Sequence, residues 1–176
     1  CQGVEGAYSQ LACEKLFKHP QVMYFKTFES VFSAIESGFC DYAVLPLENS
    51  TACSVNAIYD LMMKHDFRIV RSVRLKVDHN LLVKPGTKRS DITEIYSHEQ
   101  ALGQCSKFLG SLNGVRVIPC ANTAMAAQRV REANDLTLGA IASDEAAEVF
   151  GLRVLDRDIS TARNNTTRFA AFSRTR

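Results

Sequence analysis

No C-x-x-C pair occurs in this sequence, and no histidine sits at metal-ligand spacing from a cysteine. A zinc site is therefore not expected, nor any other metal centre. The six cysteines, at 1, 13, 40, 53, 105 and 120, are dispersed among apolar stretches. That is the pattern of reduced core thiols in a cytoplasmic protein rather than of a disulfide scaffold. Nowhere do lysine and arginine concentrate with interleaved aromatics, and a formal net charge of +2 is too small to imply nucleic acid. No run of about 18 apolar residues is present, so no membrane span is expected. A signal-peptide pattern is lacking too, although the first residue is Cys1 rather than Met, which leaves open what precedes it. Gly3-Val4-Glu5-Gly6 falls short of a phosphate loop, which needs more glycines and a Lys-Ser/Thr pair, so no nucleotide cofactor is implied. There is no low-complexity linker and no strong internal repeat.

What is present is an ordinary globular composition: 176 residues, 46% hydrophobic and 23% charged. That length supports roughly one to two domains with a real core. Cys1-Gln2-Gly3 reads as the stub of a strand, followed by a two-glycine turn and a helix carrying Leu11, Ala12 and Leu16. Val22–Phe25 reads as a short strand. Phe28, Val31, Phe32 and Ile35 recur at i, i+3, i+4, i+7, which predicts a core-facing helix closed by Gly38. Phe67 to Val83 alternates over enough length for one or two strands. After the Pro85-Gly86 break, strands are expected at 92–97, 115–119, 138–142, 153–158 and 167–173. Helices open at His98, at Asn122 or Thr123, and at Ser143. His19, His65 and His79 read as surface or turn residues. Repeated β–α–β order with helices of about 10–15 residues argues for parallel sheets covered by helices, an α/β fold. The pattern runs once before about residue 80 and once after, which favours two similar α/β lobes.

The most informative stretch is Asp41 to Val55. Tyr42–Leu45 predicts a buried strand, and Pro46, which has no N–H, is expected to end its ladder. Glu48-Asn49-Ser50-Thr51 then makes a polar turn, and Ser54 is the candidate N-cap of a helix with Val55, Ile58, Leu61 and Met62 on one face. Strand ends that feed helix starts are where open α/β sheets bind ligands, and helix N-termini suit carboxylates. The second unusual stretch is Asn164-Asn165-Thr166-Thr167-Arg168-Phe169, with paired amides and hydroxyls standing just before an apolar strand.

That stretch resembles the Asn-Asn-x-Thr-Arg-Phe motif of prephenate dehydratases. Four further segments resemble the family's markers in the same order: Gly3–Ser9, Pro46-Leu47-Glu48-Asn49-Ser50, Ser97-His98-Glu99-Gln100-Ala101-Leu102, and the pair Asn122-Thr123-Ala124 with Ala140-Ile141-Ala142-Ser143. The resemblance implies two α/β lobes, 1–78 with 164–176 and 79–163, with a substrate cleft between them as in periplasmic solute-binding proteins (type II). It implies conversion of prephenate to phenylpyruvate, with loss of carbon dioxide and water and with no cofactor or metal. It also implies a dimer or tetramer, a C-terminal regulatory ACT domain, and in some relatives an upstream chorismate mutase. An arogenate dehydratase and a non-catalytic binding protein of the same fold are the competing readings.

By the same resemblance Thr167 assists departure of the ring hydroxyl. Asn49, Ser50 and Thr51 are candidate donors to the substrate carboxylates, as are Ala7, Tyr8 and Ser9 at the first helix start. Asn165 binds substrate or orients Thr167. Glu48 is either a proton relay or a structural acceptor. His98 is either a helix cap or a cleft residue. Arg168 either neutralises a carboxylate or makes a structural salt bridge, because alternation from Thr167 turns it to the opposite face. Cys53 stands where the family usually has glycine, and either narrows the pocket or strains the turn.

Overall fold

A computed structural model describes residues 1–51 and 53–175, with the backbone alone described at Cys53. The chain divides into two compact units, one formed by 1–4, 8–77 and 164–176, the other by 5–7 and 78–163.

The first unit is built on an antiparallel sheet. Its strands are β1 (Ala43–Asn49), β2 (Cys53–Ser54), β3 (Phe67–Lys76) and, from the far end of the chain, β9 (Thr166–Arg174). Their order is β2-β1-β9-β3, so the last strand lies between two early ones. The helices are α1 (Tyr8–Leu16), α2 (Phe28–Glu36) and α3 (Asn56–Lys64). Alternation sorts β1 and β9 cleanly. Ala43, Leu45, Ala170 and Phe172 face one core with Phe32, Ile35, Ile58 and Leu61 of α2 and α3. Val44, Phe169 and Ala171 face the other, with Ala12 and Cys13 of α1. The helix expected from the Phe28 periodicity forms as read. Thr27 caps it by accepting from the Ser30 N–H, and Gly38 follows it at φ +79.

Three expectations are corrected here. The first-unit sheet is antiparallel rather than parallel, because β9 enters between β1 and β3 against both. Pro46 does not end the ladder: β1 continues to Asn49, with Pro46 opposite Phe169 and a register shift just beyond it. Proline is tolerated there because β2 covers β1 only at Glu48 and Asn49, leaving Pro46 beside a bulge with one neighbour strand. Val22–Phe25 is not a strand but one parallel bridge, Gln2 to Phe25, held by Gly3 N–H to Phe25 O and Phe25 N–H to Cys1 O, both 2.9 Å.

The second unit carries β4 (Asn80–Val83), β5 (Glu94–His98), β6 (Arg116–Cys120), β7 (Leu138–Ala142) and β8 (Arg153–Asp156), with α4 (Glu99–Gln104), α5 (Ser106–Gly110), α6 (Thr123–Glu132) and α7 (Asp144–Phe150). Its sheet order is β6-β5-β7-β4-β8. The expected parallel pairing holds at its centre, β5 with β6 and β7, while β4 runs antiparallel to β7 and β8. The helices are also shorter than expected, with α6 the longest at 10 residues. Among the described residues no helix is long and apolar enough to cross a membrane. Cys1, Cys13, Cys40, Cys105 and Cys120 are free thiols.

His79 is not at the surface. It is 3% exposed immediately before β4, and its Nε2 lies 2.6 Å from Gln104 Oε1. The carbonyl oxygen accepts, so Nε2 carries the proton and the buried Nδ1, which has no partner among the described residues, is left as an unprotonated acceptor. Burial pushes its pKa below the ordinary 6.5, against the opposing pull of the Gln104 bond and of Asp78 and Asp158. The unfolded chain therefore binds this proton at a higher pH than the folded one. Stability from His79 is fully present above about pH 6.5 and falls as pH drops through that value. His79→Gln is expected to flatten the decline of the urea midpoint between about pH 7.5 and 5.5, measured by circular dichroism against the parent chain.

Candidate active site

Thr167 faces α1, two residues before Phe169 and four before Ala171 on the same side of β9. The apolar alternation that buries those two therefore sets its direction. It is 8% exposed, and its Oγ1 accepts from Asn49 Nδ2 at 2.8 Å. Asn49 is its cross-strand partner on β1, brought opposite from 118 residues away. The same Nδ2 donates to Asn165 Oδ1 at 2.7 Å, and Asn165 is 2% exposed. Asn49 Oδ1 accepts from the Thr51 N–H at 2.9 Å and from Thr51 Oγ1 at 2.6 Å, an Asx turn tightened by a hydroxyl. Thr167 Oγ1 thus takes a proton donor from the amide, which leaves its own O–H to point elsewhere. Among the described residues no bond from that O–H appears.

Ser50 is a clip. Its Oγ donates to Asn164 O and accepts the Thr166 N–H, both at 2.9 Å, while its own N–H donates to Thr166 O at 2.9 Å. One residue thereby fixes the backbone just before Thr167. On the other side Val77 N–H reaches Asn165 O at 2.8 Å, so residues 164–166 are held from both flanks. The hydroxyl hydrogens of Ser50 and Thr51 are committed within the chain. Ser50 Oγ is directed at Asn164 O and Thr51 Oγ1 at Asn49 Oδ1.

Glu48 and Arg168 lie on the opposite face. They are cross-strand partners, and Arg74 on β3 is the next rung. Glu48 Oε1 is 3.5 Å from Arg74 Nη2 and 4.0 Å from Arg168 Nη1. Beside them is a cavity of about 280 Å³ lined by Glu48, Asn49, Ser50, Ser54, Arg74, Thr166 and Arg168. Thr167 is not part of that lining. Glu48 and Arg168 thus form the rung next to Asn49 and Thr167 and project from the opposite face of the strand pair. Arg74 was not singled out from the sequence, because nothing in β3 alone reveals its register against β9.

The remaining expected residues fall out as follows. Ser9 Oγ donates to Gln2 O at 2.7 Å and is buried, so its hydroxyl ties α1 to the first bridge. Tyr8 starts α1 and packs beside that core. Ala7 belongs to the second unit, following Gly6, whose φ of +85 lies in the region that favours glycine. His98, also in the second unit, caps α4: its Nδ1 accepts the Gln100 N–H at 3.3 Å. Three other motif residues are structural. Ser97 Oγ donates to Ile141 O at 2.7 Å, Asn122 caps α6 through the Met125 N–H at 2.8 Å, and Ser143 caps α7 through Ala146 N–H at 3.1 Å. Ser54 is not an N-cap. It pairs with Glu48 in β2, and α3 begins after Val55 with no side-chain cap, so the stretch is a hairpin and not a strand-to-helix loop. The side chain of Cys53 lies outside the described residues; its backbone pairs with Asn49.

This is an α/β chain of two units whose candidate site rests on amides and hydroxyls held across an antiparallel strand pair. The family model for prephenate dehydratase matches residues 1–176, and the chain belongs to that family. It is 43% identical over 173 residues to "Arogenate dehydratase/prephenate dehydratase 1, chloroplastic" from Arabidopsis thaliana, covering 98% of this chain and 44% of that protein. It thus spans less than half the length of the curated relatives it matches. Among solved structures it resembles the prephenate dehydratase from Arthrobacter aurescens in complex with L-Phe (TM-score 0.88, 25% identity, 99% of this chain and 59% of that one). It also resembles GqqA, reported as a quorum-quenching acylase (TM-score 0.87, 35% identity, 99% of this chain and 63% of that one).

Ser50→Ala removes the side-chain acceptor of the Thr166 N–H. Amide exchange at Thr166 is expected to speed up by about tenfold, the loss of one net hydrogen bond, while exchange in the second unit stays unchanged. Hydrogen–deuterium exchange read by NMR checks this.

Proposed function

We propose that this chain is the catalytic region of a prephenate dehydratase, acting through the Thr167 hydroxyl. The observation that carries the reading is the bond from Asn49 Nδ2 to Thr167 Oγ1. It directs the Thr167 proton away from Asn49 and makes that proton available to a substrate oxygen. In the reaction the carbon–carbon bond to the ring carboxylate breaks and releases carbon dioxide. The electron pair moves into the ring as the carbon–oxygen bond to the hydroxyl breaks, and the ring becomes aromatic. Departing hydroxide is the poor leaving group, and it gains most from a donor already in place. Thr167 is a weak acid, so its part is a positioned hydrogen bond, with the proton that completes water drawn ultimately from solvent. Accepting the Asn49 N–H polarises the Thr167 O–H and strengthens it as a donor.

The 43% identity to a protein named for both arogenate and prephenate supports a second substrate reading, arogenate, which differs by an amino group in place of the side-chain keto group. The departing hydroxyl is common to both, so the Thr167 argument serves either. Similarity to GqqA raises acyl hydrolysis as a third. For that chemistry Thr167 would act as a nucleophile and need a base accepting its proton. Asn49 does the reverse by donating to Oγ1, which weakens a nucleophile. Reduced thiols at the five described cysteines support a reducing compartment such as the cytoplasm.

Incubation with prephenate is expected to produce phenylpyruvate absorbance, and Thr167→Ala to lower kcat by at least about 100-fold while the urea midpoint holds. Near-normal turnover by Thr167→Ala would remove Thr167 from the mechanism. The ratio of kcat/KM for prephenate and arogenate assigns the preferred substrate, and absence of turnover on both sinks the reading.

A further inference from the structure

We infer that Thr51 is a positioning residue for Thr167, acting through the side-chain amide of Asn49. The inference rests on the dehydratase reading for its kinetic consequence, but its geometry stands alone.

The Thr51 backbone N–H is a group that can only donate. It lies 2.9 Å from one terminal atom of the Asn49 side chain, so that atom must be the carbonyl oxygen. Thr51 Oγ1, 2.6 Å from the same oxygen, donates to it as well. The opposite terminal atom of Asn49 is then the NH2 group, and it sits 2.7 Å from Asn165 Oδ1 and 2.8 Å from Thr167 Oγ1. Turning the amide over would set its NH2 against the Thr51 N–H, donor against donor. It would also present a carbonyl oxygen to Asn165 Oδ1, acceptor against acceptor. Thr167 would then face an acceptor, and its O–H would swing towards Asn49 and away from any substrate. Which way Asn49 points therefore decides whether Thr167 has a proton to offer.

Two donors on Thr51 hold that choice, where a bare Asx turn has one. The hydroxyl does more than double the restraint. A hydrogen bond to an amide oxygen draws charge across the amide and makes its N–H groups stronger donors, so polarisation runs from Thr51 through Asn49 to Thr167. Thr51 was a candidate carboxylate donor by sequence. Its hydroxyl hydrogen is directed at Asn49 instead, and its exposed position on the turn lets it be changed without disturbing either core.

The test compares Thr51→Val, which keeps the shape and removes the hydroxyl, with Thr51→Ser, which restores it, each in the parent and in the Thr167→Ala background. Thr51→Val is expected to lower kcat for prephenate by about tenfold with KM within about twofold, and Thr51→Ser to recover most of it. In the Thr167→Ala background Thr51→Val is expected to change nothing further. An equal loss in both backgrounds, or a raised KM with kcat intact, overturns the inference. A second readout needs no turnover. The two Asn49 side-chain amide protons, observed by ¹⁵N NMR, are expected to exchange slowly in the parent, to lose that protection in Thr51→Val and to regain it in Thr51→Ser. Unaltered Asn49 signals in Thr51→Val overturn the inference whatever the kinetics. A parent chain that shows the Asn49 response but turns over neither prephenate nor arogenate overturns the functional reading alone.

Discussion

The antiparallel insertion of β9 between β1 and β3 is the constraint on which the candidate site depends. Neither β1 nor β9 carries the site by itself. Asn49 and Thr167 meet only because the ladder puts them opposite one another, and the ladder is fixed by apolar residues some distance from them. Ala43 with Phe172 and Leu45 with Ala170 set the register on one face, and Val44 with Ala171 sets it on the other. A slip by one residue would send each of these side chains into the opposite core, where the neighbours are of a different size, so the pairing is specified from two cores at once. Placement of a polar pair at the end of such a strand is thus a by-product of burial. The hydrophobic effect fixes the rung, and hydrogen bonds fix the orientation on that rung.

The polar cluster is assembled under a strict rule. Buried amides and hydroxyls are costly unless partnered, and Asn165 at 2% exposure and Thr167 at 8% are both partnered by Asn49. Ser50 and the Val77 N–H do the same for the neighbouring backbone. The half-exposed Glu48, Arg74 and Arg168 group on the far face belongs to a different regime. Its distances of 3.5 and 4.0 Å, in reach of water, make it a loose ion cluster that adds little to stability. One sheet therefore carries a tight neutral network on one side and a loose charged one on the other.

Local signals in the sequence were faithful where the physics is local. The helix beginning at Phe28 follows from a period of 3.6, β7 from an apolar run of five, and the start and stop of α7 from Ser143 and Gly151, the latter at φ +62. Strand direction was not legible, because alternation tells which residues face a core and not which strand lies alongside. That is why a β–α–β reading gave a parallel sheet where β9 makes it antiparallel. Pro46 misled for a related reason: a proline stops a ladder only if its missing N–H was needed, and that depends on the neighbour it lacks. The motif residues were found, but their roles were harder to read. Ser50 and Thr51 look like free donors in sequence, and only the fold shows where their hydrogens go. His79 could have been suspected of burial from the Leu81-Leu82-Val83 run that follows it, since a polar residue just before a fully buried strand shares its surroundings.

The late arrival of β9 also dictates an order of assembly. The middle of the first sheet comes from residues 166–174, so until those residues are made β1 and β3 have no common neighbour, and α2 and α3 have only half a surface to pack on. The second unit draws almost everything from one continuous stretch, 78–163, and so can close while the first still waits. During synthesis the earliest-made half of the chain is thus the last to become solid, and its exposed strands are the ones at risk of pairing with a stranger. Closing the sheet across more than a hundred residues is a slow, long-range event. The step that completes the fold is the same one that brings Thr167 to Asn49, so a chain that has not finished folding has no site to misuse.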